Sequence, residues 1–268
     1  MGTLVIDGLT FGYDDEGQGA PLVLIHGHPF DRSMWQPQVT YFARDGWRVI
    51  APDLRGYGQS AVVAGMTTLD TFARDIAALL DRLDVADAVL CGLSMGGQIV
   101  MEFYRQFPGR VRALVLADTF AEAETASGRK LRNDTADRLL REGMAPFAQE
   151  ALPRMLAERT IREEPAVVRH VLRMMRDTNP VGAAAALRGR AERPDYVELL
   201  GRIAVPTLVV VGEYDGFTTI HDAYAMCERI PDGALVVVHD AGHMPNLEQP
   251  DAFNAEVARF LGRVRAAV

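Results

Sequence analysis

Six short runs built largely from Val, Leu, Ile and Ala recur along the 268-residue chain. They are residues 21–27 (PLVLIHG), 47–53 (WRVIAPD), 88–93 (AVLCGL), 111–118 (VRALVLAD), 207–215 (TLVVVGEYD) and 234–240 (ALVVVHD). Apolar runs with little polar alternation are what strands show when both faces of their sheet are covered. Helical spacing fills the intervals. Leu69, Phe72, Ile76, Leu79, Leu80 and Leu83 recur every three or four residues behind a capping box of Thr67 and Asp70. Ile99, Val100 and Phe103 repeat the pattern until Pro108 stops it, and Phe253, Val257, Phe260, Leu261 and Val264 form a last amphipathic helix. Strand alternating with helix predicts an α/β fold, with a mostly parallel sheet, right-handed crossovers and helices on both faces. Before it, residues 3–13 read as a strand pair and residues 14–17 (DDEG) as a polar turn.

One region breaks the alternation. Residues 119–202 contain no strand signal. Leu131, Leu139, Leu140 and Met144, then Val167, Val168, Val171, Leu172 and Met175, have helical spacing, and Pro146, Pro153, Pro165, Pro180 and Pro194 cut the segment into short pieces. The division expected is a core of residues 1–118 and 203–268, with residues 119–202 as a helical insertion after the sixth strand.

The charge balance narrows the partners. A formal net charge of −8 and a pI near 5.3 argue against a nucleic-acid partner, which would favour clustered Lys and Arg. No apolar stretch approaches the roughly 20 residues of a membrane-spanning helix, and the first residues, MGTLVI, do not read as a signal peptide. Cys91 and Cys227 make no metal-type spacing, and Cys91 reads as a small buried hydrophobe. A cytoplasmic setting is the expectation, with no metal, no cofactor and no membrane partner; oligomeric state is not legible. No G-x-G-x-x-G dinucleotide fingerprint appears.

Residues 92–96, Gly-Leu-Ser-Met-Gly, match G-x-S-x-G and lie between a predicted strand and a predicted helix. A sharp strand-to-helix reversal strains the turning residue and crowds its neighbours two positions away, where glycine fits. The turn lifts the Ser94 hydroxyl above the sheet and sets the Met95 amide at a helix N-terminus, where it can bind an oxyanion. A serine hydroxyl is a poor nucleophile without a base oriented by an acid. His243, in the loop after the last strand run, supplies a base. Asp215, after the preceding run, supplies an acid, and Glu213 two residues earlier shares its strand face. Asp118 also ends a run. The chain order Ser94, Asp215, His243 is serine, acid, histidine.

The order and motifs resemble the α/β-hydrolases over nearly the whole chain. His26-Gly27-His28-Pro29 matches that family's HGxP turn, residues 53–60 (DLRGYGQS) its D-x-R-G-x-G-x-S segment, and GLSMGG, GEYD and AGHMPNLEQP match as well. The resemblance implies Ser94 as nucleophile, His243 as base and Asp215, rather than Glu213 or Asp118, as acid. It also implies an oxyanion hole from the amides of His28 and Met95, and a lid formed by the helical insertion. The closest look is to β-ketoadipate enol-lactonases and small bacterial carboxylesterases. Serine at position 94 separates the chain from the haloalkane dehalogenases and epoxide hydrolases, which use aspartate there.

The reaction implied is serine-dependent cleavage of a small carboxylic ester or lactone through an acyl-enzyme, falling off at acid pH as His243 protonates. The alternatives are a ligand-binding receptor on a hydrolase scaffold, a carbon–carbon bond hydrolase or a cofactor-free perhydrolase. Phe30 is a pocket wall or substitute amide donor, and Arg188 and Arg190 are candidate clamps for a substrate carboxylate. His26, Asp53 and Arg55 are expected to organise loops, and Met144, Met155, Met174 and Met175 to pack the insertion or line an adaptable pocket.

Overall fold

In the computed structural model, which describes residues 2–266, all six apolar runs are strands. A hairpin of β1 (Gly2–Ile6) and β2 (Leu9–Glu16) precedes β3 (Ala20–Ile25), β4 (Trp47–Pro52), β5 (Ala88–Leu93), β6 (Val111–Ala117), β7 (Thr207–Gly212) and β8 (Gly233–Val238). The eight strands form one sheet in the order β1-β2-β4-β3-β5-β6-β7-β8. It is parallel from β4 to β8, and β2 runs antiparallel to both β1 and β4.

The N-terminal turn lies elsewhere than the polar residues 14–17 suggest. The chain reverses at Asp7 and Gly8, both at positive φ, and Asp14, Asp15 and Glu16 continue β2 alongside Ala51, Ile50 and Val49. Cations make these acids tolerable in a strand: Arg48 forks onto Asp15 at 3.0 and 2.8 Å, and Arg32 lies 3.3 Å from Asp14.

Side chains alternate across the parallel strands and build a core on each face. Leu22, Leu24, Val49, Val89 and Val115 pack against α1 (Gln36–Arg44) and the final helix. Val23, Ile25, Ile50, Leu90 and Leu114 pack against α2 (Leu69–Arg82) and α3 (Met95–Gln106). The cap of α2 is Thr68, whose hydroxyl accepts from the Thr71 amide at 3.2 Å, one residue later than the Thr67 box implied. Thr67 is held back because its amide donates to the Ala185 carbonyl at 3.0 Å.

That bond joins the core to the segment between β6 and β7, which holds α4 (Ala126–Glu142), α5 (Met144–Met155), α6 (Glu158–Glu163), α7 (Pro165–Asp177), α8 (Pro180–Ala191) and α9 (Val197–Leu200). Short side chains let α8 lie close to α4, with Ala183, Ala184 and Leu187 sealed against Ala136 and Leu139. After β7 come α10 (Ile220–Cys227), α11 (Pro245–Glu248) and α12 (Pro250–Ala266). Among the described residues no helix is long and apolar enough to cross a membrane.

Candidate active site

Ser94 is the residue between β5 and α3, at φ 57° and ψ −115°. A non-glycine side chain is strained there and persists only where its surroundings hold it. Two bonds do so: the Ser94 amide donates to the Ala117 carbonyl at 2.9 Å, and the Thr119 hydroxyl donates to the Ser94 carbonyl at 2.7 Å. The flanking glycines are steric requirements. A Cβ on Gly92 would strike the Gly96 carbonyl, and one on Gly96 would strike the Ile25 carbonyl of β3. The same tight turn brings the loop after β3 alongside, since a Cβ on Gly27 would lie 3.2 Å from that of Ser94.

His243 enters from the loop after β8 and Asp215 from the loop after β7. His243 Nδ1–H donates to both Asp215 carboxylate oxygens at 2.9 Å, and the Phe217 amide donates to Oδ1 at 2.7 Å. Both side chains are buried, and the Phe217 ring lies against the imidazole with centroids 4.7 Å apart. Glu213 faces away from this pair, accepting from the Asp240 amide at 3.1 Å and from His239. Glu248 braces the histidine loop from below. One of its oxygens accepts from the amides of Gly242 and Met244, on either side of His243, and the other from the Ala157 amide and the Thr160 hydroxyl.

Asp118, at the end of β6, is buried beside this pair and accepts from the Gly212 amide at 2.8 Å. Its carboxyl is held well above the usual aspartate range, by burial first and by the charge of Asp215 second.

Ser94 and His243 line one cavity of about 490 Å³ under the helical insertion, together with His28, Phe147, Arg190 and Phe217. His28 Nδ1 is 2.7 Å from the Tyr57 hydroxyl. Burial, then the neighbouring Arg190 and Arg132 cations, push the His28 imidazole well below its ordinary value and keep it neutral.

Arg190 is 7% exposed, and its Nε–H donates to Gln98 Oε1 at 3.2 Å. Among the described residues no carboxylate pairs with it, whereas Arg132 and Arg193 both pair with Glu124. Burial and these two like charges lower its proton affinity well below that of an ordinary arginine.

The two arginines of Leu187-Arg188-Gly189-Arg190 therefore part company. Arg188 turns outward to Asp137 at 2.6 Å and is absent from the cavity. Phe30 is also absent from it: the ring is sealed in the core beneath the sheet, and its amide is committed to the Gly27 carbonyl at 3.1 Å, so it is neither wall nor substitute donor. Of the four methionines singled out in the insertion, Met155 reaches the cavity, Met144 packs between α4 and α8, and Met174 and Met175 pack in the core. His26 and Asp53 hold loops as expected, His26 by accepting from the Leu54 amide at 3.0 Å and Asp53 by accepting from the amides of Arg32 and Gln59.

A sequence profile of the alpha/beta hydrolase fold matches residues 20–250. The chain belongs to the α/β-hydrolase family. It is similar to 3-oxoadipate enol-lactonase 2 of Acinetobacter baylyi, 33% identical over 97% of this chain and 96% of that protein. A thermophilic esterase from Thermogutta terrifontis, solved with malate bound, superposes with a TM-score of 0.94 at 39% identity, covering 98% of this chain and 97% of the other. The enol-lactonase from Burkholderia xenovorans superposes with a TM-score of 0.91 at 28% identity, covering 97% and 100%.

As an α/β-hydrolase this chain is an enzyme with esterase and enol-lactonase relatives. Several site residues of this hydrolase carry no signal in the sequence. Phe217 follows the GEYD motif as an ordinary loop residue, Gln98 follows GLSMGG, Tyr57 occupies a variable position of D-x-R-G-x-G-x-S, and Glu248 lies within AGHMPNLEQP with no chemistry to mark it out.

Proposed function

We propose that this α/β-hydrolase opens a small carboxylic ester or lactone that carries a further carboxylate, by a Ser94–His243–Asp215 triad and an acyl-enzyme. His243 Nε2 takes the Ser94 proton as Oγ attacks the carbonyl. Asp215, accepting from Nδ1, fixes the tautomer and stabilises the imidazolium. The amides of His28 and Met95 receive the tetrahedral oxyanion. Met95 is the first residue of α3, so its N–H is one of those a helix leaves unpaired. The imidazolium then protonates the departing alkoxide, or the ring-opened enolate of a lactone. Water, deprotonated by His243, releases the acid and restores Ser94.

The observation that carries the anionic substrate is Arg190, a buried guanidinium in the cavity that also holds Ser94 and His243; among the described residues no carboxylate pairs with it, since the cavity's Glu124 and Glu150 are taken by Arg132, Arg193 and Arg138. A buried cation without a counter-ion is costly, and a ligand carboxylate relieves that cost through charge-assisted hydrogen bonds. The names of its relatives point the same way, since 3-oxoadipate is a dicarboxylate and the Thermogutta esterase was solved with malate.

Proton release from matched pairs of substrates, an ester or lactone with and without a free carboxylate, tests the reading. Arg190→Met should raise KM for the carboxylate member by about 10- to 100-fold, the weight of one charge-assisted contact, and leave the neutral member nearly unchanged. Arg188→Met should alter neither. Equal effects of Arg190→Met on both members would remove the carboxylate from the substrate description.

A further inference from the structure

Two carboxyl groups stand side by side behind His243, and the mechanism above uses one of them. Asp118 and Asp215 leave adjacent parallel strands, β6 and β7, at the same edge of the sheet. One carboxyl oxygen of each, together with a nitrogen of His243, lies within 4.8 Å of the others. Their surroundings differ. Asp215 receives one donation from His243 Nδ1–H, shared between both its oxygens, and one from the Phe217 amide, which suits an ionised carboxylate. Asp118 receives one, from the Gly212 amide on Oδ1, and its buried Oδ2 has no donor.

Glu248 is a further acid whose charge acts on Asp118, and its four hydrogen bonds are all received from donors. No Arg or Lys side chain pairs with either aspartate among the described residues, and the triad reading uses His243 as a base. Two negative charges this close, both on buried side chains with no Arg or Lys pairing with either, cannot both persist.

We propose that Asp118 is a neutral carboxylic acid whose Oδ2–H donates to the Asp215 carboxylate, making Asp118 a positioning residue that holds the triad acid in place and disperses part of its charge. The inference rests on the triad reading above. No proton leaves Asp118 during turnover. Its hydrogen bond withdraws charge from Asp215, so His243 holds its proton less tightly and remains available as a base at lower pH. The buried half of Asp118 thereby acts on a histidine it does not bond.

The sign of a pH shift separates this arrangement from its alternatives. Asp118→Asn keeps a donor in the same place without charge. It should retain kcat within about threefold and leave the acid limb of kcat/KM where wild type has it, because an amide N–H replaces the acid O–H. Asp118→Ala removes the donor, concentrates charge on Asp215, and should move the acid limb to higher pH with a fall in kcat of about tenfold. Were Asp118 ionised instead, both substitutions would delete a negative charge and move the limb to lower pH, which overturns the proposal. An Asp118→Ala limb that stays in place overturns the positioning role.

A measurement independent of turnover covers variants that fold poorly and a failure of the triad reading. The infrared difference between wild type and Asp118→Asn at neutral pH should contain the carbonyl band of a protonated carboxyl, and its absence overturns the proposal. Stability should follow with a defined sign. A carboxyl protonated when folded and ionised when unfolded stabilises fully below the ordinary aspartate value of about 3.9 and loses that contribution as pH rises toward its folded-state value. The Tm of Asp118→Asn should therefore gain on that of wild type between about pH 4 and pH 7. A difference in Tm independent of pH counts against the neutral acid.

Discussion

Ser94→Ala is expected to lower kcat for ester or lactone hydrolysis by about 10⁵- to 10⁶-fold while leaving KM and Tm close to wild type. The residual rate over water comes from whatever oxyanion stabilisation and binding persist, because the amides of His28 and Met95 and the Arg190 guanidinium are untouched by the substitution. Folding should tolerate the change. The bonds that hold the turn run through the Ser94 backbone to Ala117 and Thr119, and the half-buried hydroxyl itself is not among them. Positive φ at this position suits alanine no worse than serine. The readout is proton release by both proteins on the same substrates, with a thermal melt as control. A variant within tenfold of wild type would remove Ser94 as nucleophile and return the cavity to the ligand-binding alternative. His243→Ala should match the loss and add little to it in the double variant, since the two groups act as a unit.

The second large effect is structural. Gly96→Ala should cost roughly 3 kcal/mol or more, a fall in Tm of about 6–12 °C for a chain of this size, together with most of the activity. The added methyl has nowhere to go: it points at the backbone carbonyls of Ile25 and His26, which belong to the rigid sheet edge and cannot rotate aside as a side chain would. Relief requires α3 to lift off β3, and α3 carries Met95 at its first position. Stability and catalysis therefore fall together, unlike in Ser94→Ala, where only catalysis falls. A melt unchanged within about 2 °C would show that the helix accommodates the methyl without strain.

Arg190 stands between these two kinds of residue. It is buried like a core group and charged like a surface one, held by Gln98 and short of an acid. Such a group destabilises the empty protein, and in the function proposed above a substrate carboxylate relieves it.

How much of this was legible in the sequence follows from which forces act locally. The alternation of apolar runs with amphipathic helices was readable because each parallel strand must be covered on both faces, and it placed all six central strands. Gly92 and Ser94 were readable because steric exclusion at a tight turn operates over five residues, whereas the need for Gly96 comes from the carbonyls of Ile25 and His26, distant along the chain. The segment 14–17 misled, because four polar residues resemble a turn until Arg48 and Arg32 arrive from elsewhere to neutralise them. Thr67 misled as a cap for the same reason, its amide being taken by a carbonyl of α8.

The sequence by itself determined the class of fold, the order of strands and helices, and the three residue types set at one end of the sheet. Those follow from periodicity and local sterics, which a short window contains. Only the tertiary structure decided that Arg190 lines the same cavity as Ser94 while Arg188, two residues away on the same helix, meets solvent and Asp137. It alone decided that Phe30 is core, that Phe217 and Glu248 hold His243, and that Asp118 lies against Asp215. Most of those depend on which surfaces meet between segments distant along the chain, and such contact is settled by packing, where burial and charge are weighed over the whole molecule at once.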